Sequence, residues 1–176
     1  MDITGKSFNL RAGGIIKNRT KEPFLTAGDS DIKMQGEIDA IRAEIRESYR
    51  MISEIIINKD IMNILDGIEE YSHLVVLYWA HKVPEKSRRL TQVHPMGSKE
   101  TPLAGIFSTC SPARPNPVLM SLVRLCAKKE NLLQVSGLDA IDGSPVIDIK
   151  PYVKEFYPQE DVLIPEWMQK LCREMC

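Results

Sequence analysis

Residues Leu74–Ala80 form an unbroken apolar and aromatic run, the pattern of a central strand covered on both faces. Val146–Lys150 instead alternates apolar with polar positions, as a half-buried strand does. Val118–Cys126 and Leu132–Gly137 are two more strand-like runs, and the polar Lys128-Lys129-Glu130-Asn131 between them predicts a hairpin. The β-branched run Ile55-Ile56-Ile57, residues 13–18 and Ala104–Thr109 complete the expected strands. Residues 19–36 are polar and contain glycine, which predicts a loop.

Helical spacing is confined to three places. From Glu37 to Arg50, Ile38, Ile41, Ile45 and Tyr49 recur at three- and four-residue steps, a narrow apolar stripe backed by Asp, Glu and Arg. Asp60 is placed to cap a brief helix ending near Gly67. Pro165 suits the first turn of a terminal helix whose apolar face is Trp167, Met168, Leu171 and Met175. Strands outnumber helices and come in hairpins. The expected fold is therefore mainly β, a small closed or nearly closed antiparallel barrel with a few peripheral helices. With no internal repeat and no long linker, residues 1–176 read as one domain.

Two turn-rich segments carry the polar chemistry. Ser111–Pro117 holds prolines at 112, 115 and 117, each fixing its own φ and pushing the preceding residue out of the helical region. The segment reads as a stiff shelf presenting Arg114 and Asn116. Gly137–Pro145 is a bend with two carboxylates, Asp139 and Asp142, closed by an Asp-Gly step.

Composition narrows the class. The chain has 176 residues and a formal net charge of −1. It lacks the global basic excess usual for nucleic-acid binders, so any RNA contact must be local. The best candidate is His81–Arg89, reinforced by His94 and Lys99; a solvated loop is the alternative. No signal-peptide layout and no membrane-length apolar run are present, so a cytoplasmic protein without a membrane partner is expected. Cysteines 110, 126, 172 and 176 lack metal-ligand spacing, which predicts free thiols and no metal.

Gly105–Pro117 matches G-[VI]-F-[AS]-T-x-S-x-x-R-P-N-P, and Leu138–Tyr152 matches L-D-x-x-D-G-[ST]-P-V-x-D-I-K-P-Y. On these segments, with Gly14–Asn18 and Gly67–Trp79, the chain resembles the TsaA-like (TrmO-type) S-adenosylmethionine-dependent methyltransferases. The resemblance implies a small β-barrel acting as a homodimer, with S-adenosylmethionine near the subunit boundary. It also implies a tRNA partner, methylated at the exocyclic N6 of threonylcarbamoyl-modified adenosine beside the anticodon. No G-x-G-x-x-G follows a strand, so the cofactor expectation rests on the resemblance alone.

Residue by residue, the resemblance assigns cofactor contacts to His81, Lys82, Cys110, Met120 and the segment Ser136-Gly137-Leu138-Asp139. Lys82 stands where the family has Gln, and Cys110 where it has Arg. The family's early Pro-Arg-Gln contact has no counterpart, and neither has the tRNA-reading C-terminal extension of bacterial members. Asp139 and Asp142 are the candidate catalytic groups. Arg88, Arg89, Arg114, Asn116, Lys150 and Tyr152 are the candidate substrate contacts.

Each assignment has a structural counterpart. The two aspartates are either acid–base groups or simply close the bend by Asx hydrogen bonds, and Arg114 either binds a substrate anion or holds a carboxylate such as Asp148. His81 is either a site group or a satisfied structural histidine, and His73 is read as structural. Cys110 is read as a buried inert thiol rather than a nucleophile, because no base neighbours it. Lys150-Pro151-Tyr152 either anchors the shelf or touches ligand, and Tyr78-Trp79 reads as core. Two further functions stay open: a methyltransferase of the same fold for a small metabolite, and a non-catalytic S-adenosylmethionine-binding module.

Overall fold

Alternating side chains on β1 (Gly14–Lys17), β4 (Ile52–Ile57), β5 (His73–Trp79), β8 (Val118–Lys129), β9 (Leu132–Ser136) and β10 (Pro145–Pro151) build one closed wall. The computed structural model describes residues 7–23, 25–28, 31–34, 43 and 46–175. The barrel order is β1-β10-β5-β8-β9-β4, every neighbouring pair antiparallel. The expected antiparallel barrel is what forms, and its closure leaves no free sheet edge.

Every second residue points inward. Ile16, Ile55, Ile57, Leu74, Val76, Tyr78, Val123, Leu133, Val135 and Val146 fill the lumen. One end is stoppered by Leu65 and the other by Leu138 and Ala140. Gly14 marks the tightest crossing of the wall: a Cβ there would lie 2.4 Å from the Ile56 carbonyl oxygen. Gly14→Ala is expected to cost about 1–3 kcal/mol or more, because backbone rather than a flexible side chain must yield. Urea unfolding measures it; an unchanged midpoint removes the close approach from the account.

Several elements differ from expectation. The predicted strand Ala104–Thr109 is only β7 (Ala104–Gly105), paired with β6 (Gln92–Val93), before a 3₁₀ turn at Ile106–Ser108. The Thr109 hydroxyl donates to the Ile106 carbonyl and closes that turn. Within the predicted loop 19–36, β2 (Leu25–Ala27) and β3 (Ile32–Met34) form a hairpin separate from the barrel. Strands of three residues are too short to register as alternation.

Of the predicted helix Glu37–Arg50, residue 43 and residues 46–50 are helical, while Ile38, Ile41 and Ile45 lie outside the described residues. Tyr49, expected on its apolar stripe, is 48% exposed. The short helix is a 3₁₀ segment, Lys59–Leu65, entered at Asn58; Asp60 lies in its first turn and is not the cap. The terminal helix α1 (Glu166–Met175) forms after Pro165, whose carbonyl accepts the Met168 and Gln169 amides.

Candidate cofactor and active site

Three pieces of chain converge where β5 leaves the barrel. The Ala80 amide donates to the Pro117 carbonyl at 2.8 Å, stapling the exit of β5 to the last shelf proline. The Tyr78 hydroxyl, from inside the barrel, donates to the Asp139 carbonyl. Ser121 on β8 accepts the Asp139 amide on Oγ at 3.2 Å. Burial, and then the Asp139 carboxylate, push the Tyr78 hydroxyl far above its ordinary range, so it remains a donor. Tyr78 is core, as expected, and it also fixes the bend.

Leu138 and Ala140 turn inward, so Asp139 between them faces out. Its carboxyl is raised above the usual carboxylate range by the packed surroundings that withhold water, while a path to solvent stays open. Met120, directly before Ser121, is 62% exposed on the same strand. Ser136 and Gly137 continue from β9 alongside Leu122. The structure thus brings Met120, Ser136, Gly137, Leu138 and Asp139 together. Tyr78→Phe is expected to cost about 1–3 kcal/mol, the penalty of a buried carbonyl left without its donor. Thermal or urea unfolding reads it; an unaltered stability would mean that water replaces the hydroxyl.

Asp142 does something different. Its carboxylate accepts the Asn18 amide at 3.0 Å and pairs with Lys21 at 2.8 Å, with Lys17 at 3.9 Å. The hydrogen bond from Lys21, then that from Asn18, hold it below the usual carboxylate range. It is a stable anion that organises residues 17–21. The Asn18 side chain also donates to the Ala140 carbonyl at 2.7 Å. Gly143 takes φ +80°, which lets the bend pass close to His81. His81 Nδ1 and the buried Ser144 Oγ are 3.3 Å apart. Burial and Lys82 lower the His81 pKa against the opposing pull of Asp142, so the ring is neutral near pH 7.

The other predicted residues are placed as follows. Arg114 does not reach Asp148; it folds onto its own shelf, donating to the carbonyls of Ser111 and Thr109 at 2.9 and 2.6 Å. Asp148 instead pairs with Lys150 at 2.6 Å. Asn116 is exposed on the shelf. Cys110, expected to be buried, is exposed, because the neighbouring Thr109 and Ser111 take the inward positions. Lys82 pairs with Glu22 at 2.7 Å. The Arg88 guanidinium lies over Trp79, 5.3 Å from the ring centroid, and its Nε is buried without a hydrogen-bond partner among the described residues. Arg89 is exposed.

Lys150 and Tyr152 do not join this cluster or anchor the shelf. Lys150 pairs with Val75, and the Tyr152 amide donates to His73, at the far end of β5. Six residue steps of strand separate His73 from Trp79, roughly 20 Å. Tyr152 stacks on Tyr157 with centroids 4.8 Å apart. A signal for Lys150 and Tyr152 was available: Lys150 is near the end of the seven-residue strand that leads away from the bend, and Tyr152 follows it.

An open depression of about 470 Å³ lies beside the cluster, lined by Lys17, Asn18, Lys21, Ile52, Glu54 and Asp142. Of the predicted site residues only Asp142 touches it. Asp139, His81 and Met120 are exposed and do not line it.

Comparison with known proteins fits this geometry. Residues 41–157 match the family model described as the tRNA-methyltransferase O N-terminal domain. The chain is 40% identical over 153 residues to a probable S-adenosyl-L-methionine-binding protein of Methanothermobacter thermautotrophicus, covering 87% of this chain and 96% of that one. It is 32% identical over 151 residues to the tRNA (adenine(37)-N6)-methyltransferase of Escherichia coli, covering 84% of this chain and 58% of the relative. The crystal structure of TrmO from Pseudomonas aeruginosa superposes with a TM-score of 0.63 at 25% identity, over 90% of this chain and 61% of that one. The chain therefore spans less than two thirds of the two longer proteins. A family match covering the apolar run, the shelf and the bend, on the barrel those segments build, means that this chain belongs to the tRNA-methyltransferase O N-terminal domain family.

Proposed function

We propose that the protein binds S-adenosylmethionine at the Met120–Asp139 surface and methylates the exocyclic N6 of adenine in tRNA. Its substrate is the threonylcarbamoyl-modified adenosine beside the anticodon. The observation that carries this reading is the family match over residues 41–157, which includes the segments that meet in space at Tyr78, Ser121 and Asp139. The residues present fit the cofactor: exposed apolar Met120 and Leu122 offer a surface for its uncharged parts, and Asp139, exposed at the bend, offers a carboxyl group to its polar ones. The cofactor supplies an electrophilic methyl group on a sulfonium.

The chain's own work is positioning and proton handling. The N6 nitrogen is a poor nucleophile while its lone pair is delocalised and its proton is held. A carboxyl raised in pKa is a better base than one held low by an ion pair, so Asp139 is the base and Asp142 the fixed anion that shapes the bend. Neutral His81 offers a directional hydrogen bond at the rim, and Cys110 and Lys82 line it. Arg89, Arg114 and Asn116 face the RNA. Two copies of the chain enclose the open surface as a homodimer.

Calorimetric titration with S-adenosylmethionine, followed by mass spectrometry of nucleosides from treated tRNA, tests this. Binding with a new N6-methylated nucleoside is expected, and the absence of binding would overturn the reading. A second reading, methyl transfer to a small metabolite, is favoured by the internal engagement of Lys82 and Arg88, which leaves few cations in the loop for phosphate. Salt separates the two, since RNA affinity falls steeply with ionic strength and small-molecule affinity does not.

A further inference from the structure

We propose that the Tyr49 ring is the platform on which the adenine of S-adenosylmethionine stacks, at the edge of residues 136–139. The inference rests on the assignment of those residues to the cofactor. Two contacts of different kinds place Tyr49 there. Residues 46–50 are the end of a helix, where the final carbonyls need partners from elsewhere. The Tyr49 carbonyl accepts the Gly137 amide at 2.9 Å. Strand register agrees, since Ile52, three residues further on, pairs with Ser136.

The side chain reaches the same spot. After burial and the Asp139 carboxylate, the Tyr49 phenol is a further cause that raises the Tyr78 pKa. Its hydroxyl end therefore lies toward the Tyr78 hydroxyl, which in turn holds the Asp139 carbonyl. Tyr49 is nevertheless 48% exposed. A tyrosine with its polar end turned in and half its surface open shows solvent the carbon face of its ring.

Gly137 supplies a floor beside that face. It follows β9, which lies between β4 and β8 in the barrel. It takes φ +84°, and a Cβ there would lie 3.5 Å from the Leu122 carbonyl oxygen. Its backbone thus runs between those of Tyr49 and Leu122, with exposed apolar side chains on both sides: Tyr49 and Ile52 on one, Leu122 and Met120 on the other. S-adenosylmethionine is ionic at its amino-acid end and at its sulfonium, and its flat, uncharged part is the purine. An aromatic face next to a glycine without a side chain suits that part, because bases stack on aromatic rings through their π-faces.

Calorimetry on the full chain tests this with three variants. Tyr49→Ala should raise the Kd for S-adenosylmethionine about tenfold, and Tyr49→Leu, which keeps apolar bulk without a ring, should raise it at least about fivefold. Tyr49→Phe should bind within about twofold of the wild type, because the ring stacks and the hydroxyl does not. The alanine loss should be the same for S-adenosylhomocysteine, which keeps the adenine but has an uncharged sulfur. In the wild type, the Tyr49 ring protons should shift upfield in the NMR spectrum when S-adenosylmethionine is added, which a purely structural role would not produce. Unchanged affinity in Tyr49→Ala, equal loss in the alanine and phenylalanine variants, or unshifted ring protons would each overturn the platform. A loss confined to S-adenosylmethionine would also overturn it, since the ring would then face the sulfonium. Failure of the wild type to bind S-adenosylmethionine at all would overturn the site assignment and the platform together, whereas wild-type binding that Tyr49→Ala leaves intact would overturn the platform alone.

Discussion

Asp139→Ala is expected to weaken S-adenosylmethionine binding by about 10- to 100-fold while leaving the barrel folded. A lost hydrogen bond to a charged partner is worth about 1.5–3 kcal/mol, and 1.4 kcal/mol is a factor of ten. The bend itself should persist, because Tyr78 and Ser121 hold the backbone carbonyl and amide of residue 139 and not its carboxylate. Calorimetry on the folded variant decides it; an unaltered Kd would remove the Met120–Asp139 surface as the cofactor site. The direction of the Asp139 shift adds a pH test. A folded-state pKa above the unfolded value means that the folded state holds the proton more tightly, so this contribution to stability is full at acid pH. It is lost as pH rises through the folded value. Asp139→Asn should therefore gain stability relative to the wild type on the neutral side. Paired urea midpoints at acid and neutral pH measure this, and a constant difference would contradict the shift.

Arg89→Glu should cut tRNA affinity about tenfold at low salt, lower the slope of log affinity against log salt by about one or two, and leave cofactor affinity alone. Arg89 is the exposed arginine of the basic loop, whereas Arg88 is spread over Trp79 and hydrogen-bonded to the Val83 carbonyl at 3.3 Å. Arg88→Ala should accordingly act on stability, by about 0.5–2 kcal/mol, more than on RNA. Filter binding across a salt series separates the two arginines. If Arg89→Glu methylates tRNA as the wild type does, RNA does not bind along residues 85–89.

The two carboxylates of the bend show how a shared motif divides its labour. They lie three residues apart, and their environments push them in opposite directions, Asp139 up by desolvation and Asp142 down by Lys21 and Asn18. Sequence reading grouped both as candidate catalytic groups. The partners that separate them, Asn18 and Lys21, come from the other end of the chain.

What could be read from the amino acids alone followed from local rules. The apolar run Leu74–Ala80, the alternation in Val146–Lys150 and the hairpin 118–137 already imply a barrel, since strand periodicity reports which faces are buried. The shelf and the bend were visible because proline and the Asp-Gly step act within a few residues. The tertiary structure alone decided which polar groups meet. Lys150 and Tyr152 stand in the same motif as Asp139, but a strand carries its chain about 3.3 Å per residue away from the bend. Asp31 and His94 share no motif and yet bind each other. Pairing across the barrel sets such meetings, and strand register is a property of the closed sheet that no short stretch of chain encodes.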